Sequence, residues 1–347
     1  MHILFVTGRL AEQAVRERVA ALSDKWNFTY AIEVLPITVA ALMTPKCLKR
    51  HLNIPGDASR VIVPGYLSDH LDELRAHFDD RLECGPRDIR DLPLFFGEKS
   101  ANRDGYGEHP ISILAEINHA PKLSLEALAE QAKRHRDDGA DIIDLGCSPG
   151  HRWSQVADAV KLLRDEGLRV SIDSFEPLEV NDACRAGAEL VLSVNSSNRH
   201  AAVEWGSEVV AIPDIPSDEK SLGKTIEFLE THGVAYRIDP ILEPIGFGFV
   251  DSLQRYARWR ARLPEVSMMM GIGNLTELTD VDSAGINVLL LAICQELNVQ
   301  SVLTTSVINW ARSSVRECAI ARELVHFACT QKVPPKNLER RLVMLRD

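Results

Sequence analysis

A chain of 347 residues is too long for one average domain, and a barrel of about 250 residues with a smaller domain of about 100 would fill it. Hydrophobic residues make up 45% and charged residues 26%, the proportions of a globular protein with a real core, which excludes long disorder. The formal net charge is -11 and no basic cluster interrupts it, so nucleic acid is excluded as a partner, since its binding rests on clustered Lys and Arg.

The opening, MHILFVTGRLAEQAV, reads as a buried strand and not as a signal peptide. No apolar run approaches the roughly 20 residues that span a bilayer. A cytoplasmic chain with no membrane partner is expected. In the first hundred residues HILFVTG is followed by a helical stretch, a second long helical pattern from about Thr38 to Leu52, then RVIVPGY and another helix. This predicts a small α/β, Rossmann-like domain over 1–97 with two or three parallel strands. It has no GxGxxG or GxxxxGK[ST] fingerprint for a nucleotide, so a structural or partner-binding role is expected. His2, His51, His70 and His77 lie in it without metal-ligand spacing.

The run EKSANRDGYGEH, 98–109, is polar and glycine-containing and reads as a linker. From Ile111 onward a short apolar run, a loop and a helical pattern alternate, which is the βαβ signature. The strands are expected at Ser112 to Ile117, Asp141 to Leu145, Val170 to Asp173, Leu190 to Val194, Val209 to Ile212, Ala235 to Asp239, Ser267 to Met270 and Ser301 to Leu303. Ser124, Pro177, Gly167 and Gly187 punctuate helix ends, and Val156, Val160 and Leu163 share one helix face. Strict alternation of this kind predicts a (β/α)8 TIM barrel over 110–330. The tail, 331–347, carries two prolines and a basic amphipathic turn, and its abrupt stop is compatible with a further segment once following. The seven cysteines are scattered and expected to be buried free thiols, with Cys147 set apart by its glycine-containing loop after a strand.

In such a barrel the active site forms from the loops after the strands. The strand ends here carry Glu116, Asn118 and His119, then Asp144, Asp173 and Ser174, Asn195, Asp239 and Asn274. Each alone reads as a turn or cap residue. Together they strain that reading, because several carboxylates near one axis are costly unless a ligand or cation pairs them. Such an array suits a flat heterocycle with amide and amino groups, and a 2-amino-4-oxopteridine has the N–C–NH2 edge that a carboxylate accepts from.

The blocks ILAEINHAP, GADIIDLGCSPG, VSIDSFEPLEVNDACRAGAELVLSV and IDPILEPIGFGF resemble, in order and spacing, the signatures of dihydropteroate synthase and its pterin-binding relatives. VTGRLAE, VPGY, GPRDIRDLPLFFG and MGIGNLTELTDVDSAGIN resemble the divergent archaeal and methylotroph group with an extra N-terminal domain, which is associated with tetrahydromethanopterin biosynthesis. The resemblance implies a cytoplasmic, homodimeric transferase that joins a hydroxymethyl-dihydropterin pyrophosphate to an arylamine, a ribofuranosylaminobenzene phosphate in that group. It implies pterin contacts at Asp173, Asn195, Asp239 and Asn274, and a catalytic set of Asn118, Asp144 and Asp173, with a magnesium ion and the leaving pyrophosphate at Asn118. The family's Ser-Thr-Arg-Pro, Ser-Arg-Lys and Arg-x-His motifs are replaced by CSPGHR, GNLTE and TTSVINWARSS. An anion or amine site would therefore be rebuilt from His151, Arg152 and Arg312. GIGN and the helix near Asp282 also resemble the methyl-tetrahydropterin-binding methyltransferase module, although no DxHxxG of a cobalamin domain is present. A non-catalytic pterin-binding protein is the third reading.

Overall fold

The computed structural model describes residues 1–97, 104–336, 338–339 and 341–343. Two compact units divide the chain, Met1–Asp104 and Gly105–Asp347. Of the expected linker, 98–103 lie outside the described residues and 105–109 belong to the second unit, where Tyr106 packs against Phe327 with ring centroids 5.4 Å apart. In the expected tail, residues 337, 340 and 344–347 lie outside the described residues.

The first unit is built on β1 (His2–Thr7), β2 (Thr29–Val34), β3 (Arg60–Val63) and β4 (Leu82–Cys84), all parallel, in the order β2-β1-β3-β4. Alternation along β1 sends Ile3 and Phe5 to a core with Val15, Val19 and Leu22, and Leu4 and Val6 to a core with Leu48, Leu67 and Leu74. The sheet is therefore covered on both faces, as parallel sheets are. It has four strands where two or three were expected. The helical pattern from Thr38 to Leu52 breaks into a short turn, Ala40–Leu42, and a helix, Pro45–His51. Pro45 is the reason, because the residue before a proline is held extended, and Thr44 sits at φ -109, ψ 160 and caps Cys47 N.

The second unit has eight parallel strands: β5 (Ser112–Ile117), β6 (Ile142–Gly146), β7 (Val170–Asp173), β8 (Leu190–Val194), β9 (Glu208–Ala211), β10 (Tyr236–Ile238), β11 (Met269–Gly271) and β12 (Ser301–Thr304). Each overlaps its expected run. Their order, β10-β9-β8-β7-β6-β5-β12-β11, makes a barrel that closes between β10 and β11 through one bridge, Ile238 to Met268. The caps fall as read: Ser124 accepts from the Ala127 amide at 3.3 Å, and Gly187 ends its helix at φ +113. Val156, Val160 and Leu163 are buried against the strands. Inside the barrel, Leu114, Ile142, Leu190, Leu192, Val210 and Met269 form the floor. Arg322 of the last helix donates to Ile111 O at 3.0 Å and pairs with Asp141, fastening that helix to the first two strands. All seven cysteines are free, with Cys294 and Cys318 buried. Among the described residues no helix is long and apolar enough to cross a membrane.

Candidate active site

Side chains two apart on a strand share a face, so the residues two past the apolar floor rise into the mouth. Leu114 is followed in this way by Glu116, Ile142 by Asp144, and Met269 by Gly271. Register places Glu116 beside Asp144, and Asp173 beside Gly146. Asp144 is fully buried. It accepts from Ser171 Oγ at 2.6 Å, and its Oδ2 has no hydrogen-bond partner. Burial first, then the charges of Asp173 and Glu116, hold its carboxyl well above the usual range. Burial pushes Asp173 up to about 6, opposed by a bond with Ser193. Glu116 is pushed up to about 7 by burial and then by Asp173 and Glu277.

On the other side of the mouth Asp239 is buried and pushed up to about 6 by burial, against the opposing bonds of Tyr256, Ile241 and Gly271. The Tyr256 hydroxyl and the Ile241 amide (2.7 Å) donate to Asp239. Ile241 lies at φ +69, a costly conformation for a β-branched residue. Arg255 holds it there, donating to Ile241 O at 3.0 Å and to Glu243 at 2.7 Å. Asn274 Nδ2 donates to Leu242 O at 3.1 Å. A Cβ on Gly271 would stand 3.7 Å from both Asn274 Nδ2 and Asp239 Oδ2. The two groups thus flank one bare glycine.

Asn118 follows β5, and its Oδ1 is buried without a hydrogen-bond partner. Among the described residues no three His, Cys, Asp or Glu side chains gather as a metal-binding group. A cavity of about 550 Å3 opens beside Asp173, lined also by Cys147, His151, Arg152, Phe175 and Glu179. Glu179, 1% exposed, fixes its shape by accepting from the Trp153 amide at 2.6 Å and from Ser174 Oγ. Burial and then Glu179 push the Cys147 thiol up, so it faces the cavity as a protonated thiol.

Asp144 and Asp173 are therefore brought together, and Asp239 is brought to Asn274. His151 and Arg152 line the cavity, and Arg152 pairs with Asp182 at 2.6 Å. Arg312 is exposed after the turn Asn309–Ala311 and is not among the lining residues. Asn195 is turned to its own loop, accepting from the Ser197 amide at 2.9 Å and Oγ at 2.7 Å. The cause is a register shift between Leu192 and Val194, which gives the place facing Asp173 to Ser193. Glu277, bonded by Thr305, and Tyr256 complete the mouth without having been singled out in the sequence. The strand ends carry no signal for either, since the space over Gly146 is taken by Glu116 and that over Gly271 adjoins Asp239 and Asn274.

Residues 1–87 match a family of unknown function (DUF6513), and residues 117–211 match the family described as pterin binding enzyme. An uncharacterized protein of Methanocaldococcus jannaschii is 27% identical over 417 aligned residues, covering 100% of this chain and 78% of that one. The dihydropteroate synthase of Yersinia pestis in a sulfonamide complex superposes with a TM-score of 0.51 at 18% identity, over 64% of this chain and 94% of that one. The enzyme of Xanthomonas albilineans in complex with 7,8-dihydropteroate gives 0.50 at 19%, over 65% and 94%. The second unit has the fold of these synthases.

Proposed function

We propose that the barrel mouth binds a reduced pterin and that the chain is a dihydropteroate synthase-like transferase, joining a hydroxymethyl-dihydropterin diphosphate to an arylamine. The observation that carries this reading is the placing of Asp239 and Asn274 around the bare Gly271, on the mouth that also holds Asp173. A ring laid over the glycine would donate its N–C–NH2 edge to a carboxylate and meet the amide of Asn274. In the reaction a C–N bond forms at the pterin methylene carbon, the C–O bond to diphosphate breaks, and the amine loses a proton. Holding the ring and the amine in line, in a site of fixed dipoles, supplies most of the rate.

The partnerless Oδ1 of Asn118 is the kind of oxygen that a hard cation takes, and magnesium there would offset charge gathering on the departing diphosphate. His151 and Arg152 line the cavity next to Asp173, where the phosphate of a ribofuranosylaminobenzene phosphate would meet positive charge, as in tetrahydromethanopterin biosynthesis.

One observation favours a second reading. With Arg152 paired to Asp182 and Arg312 outside the cavity lining, the site suits a pterin without a diphosphate, such as a methyl-tetrahydropterin presented to a corrinoid. Mixing the two synthase substrates and measuring pyrophosphate tests the first reading. Its absence, with methyl transfer to a corrinoid, selects the second. Pterin binding without either reaction leaves a non-catalytic pterin-binding protein.

A further inference from the structure

The sheet of the first unit has its switch point between β1 and β3, because the chain leaves β1 for β2 on one side and for β3 and β4 on the other. In open parallel sheets, ligands sit in the crevice beyond the strand C-termini at that point. Two seams between loops border it here. Beyond β1 and β2, the Arg9 and Leu10 amides donate to Ile37 O (2.9 Å) and Thr38 O (3.0 Å). Beyond β3 and β4, the Gly85 amide donates to Val63 O (2.8 Å) and the Gly65 amide to Pro86 O (3.3 Å). Both seams require glycine. A Cβ on Gly8 would stand 2.9 Å from Ile37 O, and one on Gly65 2.7 Å from the Arg87 amide nitrogen.

Between the seams lies a cavity of about 310 Å3 whose walls include Phe5, Thr7, Val63, Pro64, Arg87 and Ile89. A second, of about 300 Å3, adjoins it and shares Ala11, Ala40, Pro64 and Arg87, with Leu10 and Tyr66 exposed at its rim. Together they are large enough for a small ligand. The lining is largely apolar, and among the described residues its charged members are Arg87, whose guanidinium lies 5.6 Å from the Tyr66 ring centroid, and Asp88, which is paired with Arg90 at 2.6 Å. Among the described residues no carboxylate is seen to pair with Arg87. The Arg9, Leu10 and Ala11 amides, which would receive a diphosphate at the start of the following helix, are bonded to Ile37, Thr38 and Gly8 oxygens. A dinucleotide therefore has no seat for its diphosphate, and what remains among the described residues is largely apolar room for a ring, with Arg87 at its edge and Asp88 held by Arg90.

We propose that this crevice binds a compact aromatic anion, with the ring between β1 and β3 and the carboxylate or phosphate against Arg87. Benzoate and phenyl phosphate, titrated into the full chain by calorimetry, are the probes, and inorganic phosphate is the control without a ring. The expected result is one site per chain for at least one probe, with inorganic phosphate at least tenfold weaker. The tighter probe tells carboxylate from phosphate. Arg87→Ala should weaken binding at least tenfold, Ala40→Phe should block it by filling the shared wall, and Asp239→Asn in the barrel should leave it unchanged. Binding of neither probe, equal binding in Arg87→Ala, or loss of binding in Asp239→Asn would overturn the assignment.

Discussion

The Glu116 carboxylate lies over the bare Cα of Gly146, so near that a Cβ there would stand 2.6 Å from Oε1. Gly146 is in register with Asp173, so the missing side chain is what admits Glu116 to the acidic group. Gly146→Ala should therefore displace the end of Glu116 and leave the barrel folded, at a cost of about 1–3 kcal/mol in stability. Carboxyl NMR of labelled glutamate is the check. The Glu116 titration should move away from about 7, and an unmoved titration would mean that the two do not touch.

Asp173→Asn should strengthen the fold and weaken the site. Burial raises this carboxyl from 3.8 to about 6. A group that ionises less readily in the folded chain than in the unfolded one costs stability fully above the folded value, and nothing below the unfolded one. The variant should thus be more stable by about 1–3 kcal/mol at pH 7, with the gain fading as pH falls from about 6 to about 4, as urea unfolding would show. Its pterin affinity should drop by about 1–3 kcal/mol. Unchanged affinity by calorimetry would place the ring elsewhere.

If Glu116 takes the amine proton, pyrophosphate release should rise with pH through about 7, where that carboxyl ionises. Glu116→Gln should flatten the rise. A rise that persists in the variant assigns the proton to another group.

Turnover should stop in excess chelator and return with magnesium, and magnesium should fail to restore it in Asn118→Ala. Full activity in chelator would leave Asn118 a structural residue.

The helices Phe249–Arg262 and Ser283–Glu296 present a groove lined by Phe249, Leu253, Leu289 and Ile293, with Leu289 67% and Val250 62% exposed. Sedimentation is expected to give a dimer that covers this face, and Leu289→Glu should make it a monomer. A wild-type monomer at micromolar concentration removes the expectation.

The barrel was legible because its strands are short apolar runs, six of the eight ending at or just before Asp, Asn or Gly, and because proline and glycine mark its helices. β2 and β4 were harder to see. Residues Thr29–Val34 are at most half-buried and so lack a core pattern, and β4 has only three residues. The bonding of Asn195 within its own loop was not legible, because LVLSV reads as regular alternation and nothing in it signals the shift after Leu192. Tyr256 comes from the middle of a helix and Glu277 from the end of a short one, so a rule that inspects strand ends passes over both. The tie between Arg152 and Asp182 joins positions 30 apart, a distance at which charge patterning is silent.

The single bridge between Ile238 and Met268 makes the join of β10 to β11 the thinnest stitch in the ring. Asp239 stands on one side, directly after β10, and Asn274 on the other, three residues past the end of β11. A molecule held by both would span the stitch and brace, with its own hydrogen bonds, the join that the backbone leaves short. Occupancy of the mouth and closure of the ring would then be one equilibrium, and the backbone amide of Ile238, which donates across the join to Ser267 O at 3.0 Å, would be its reporter, slowing its exchange with deuterium as the mouth fills.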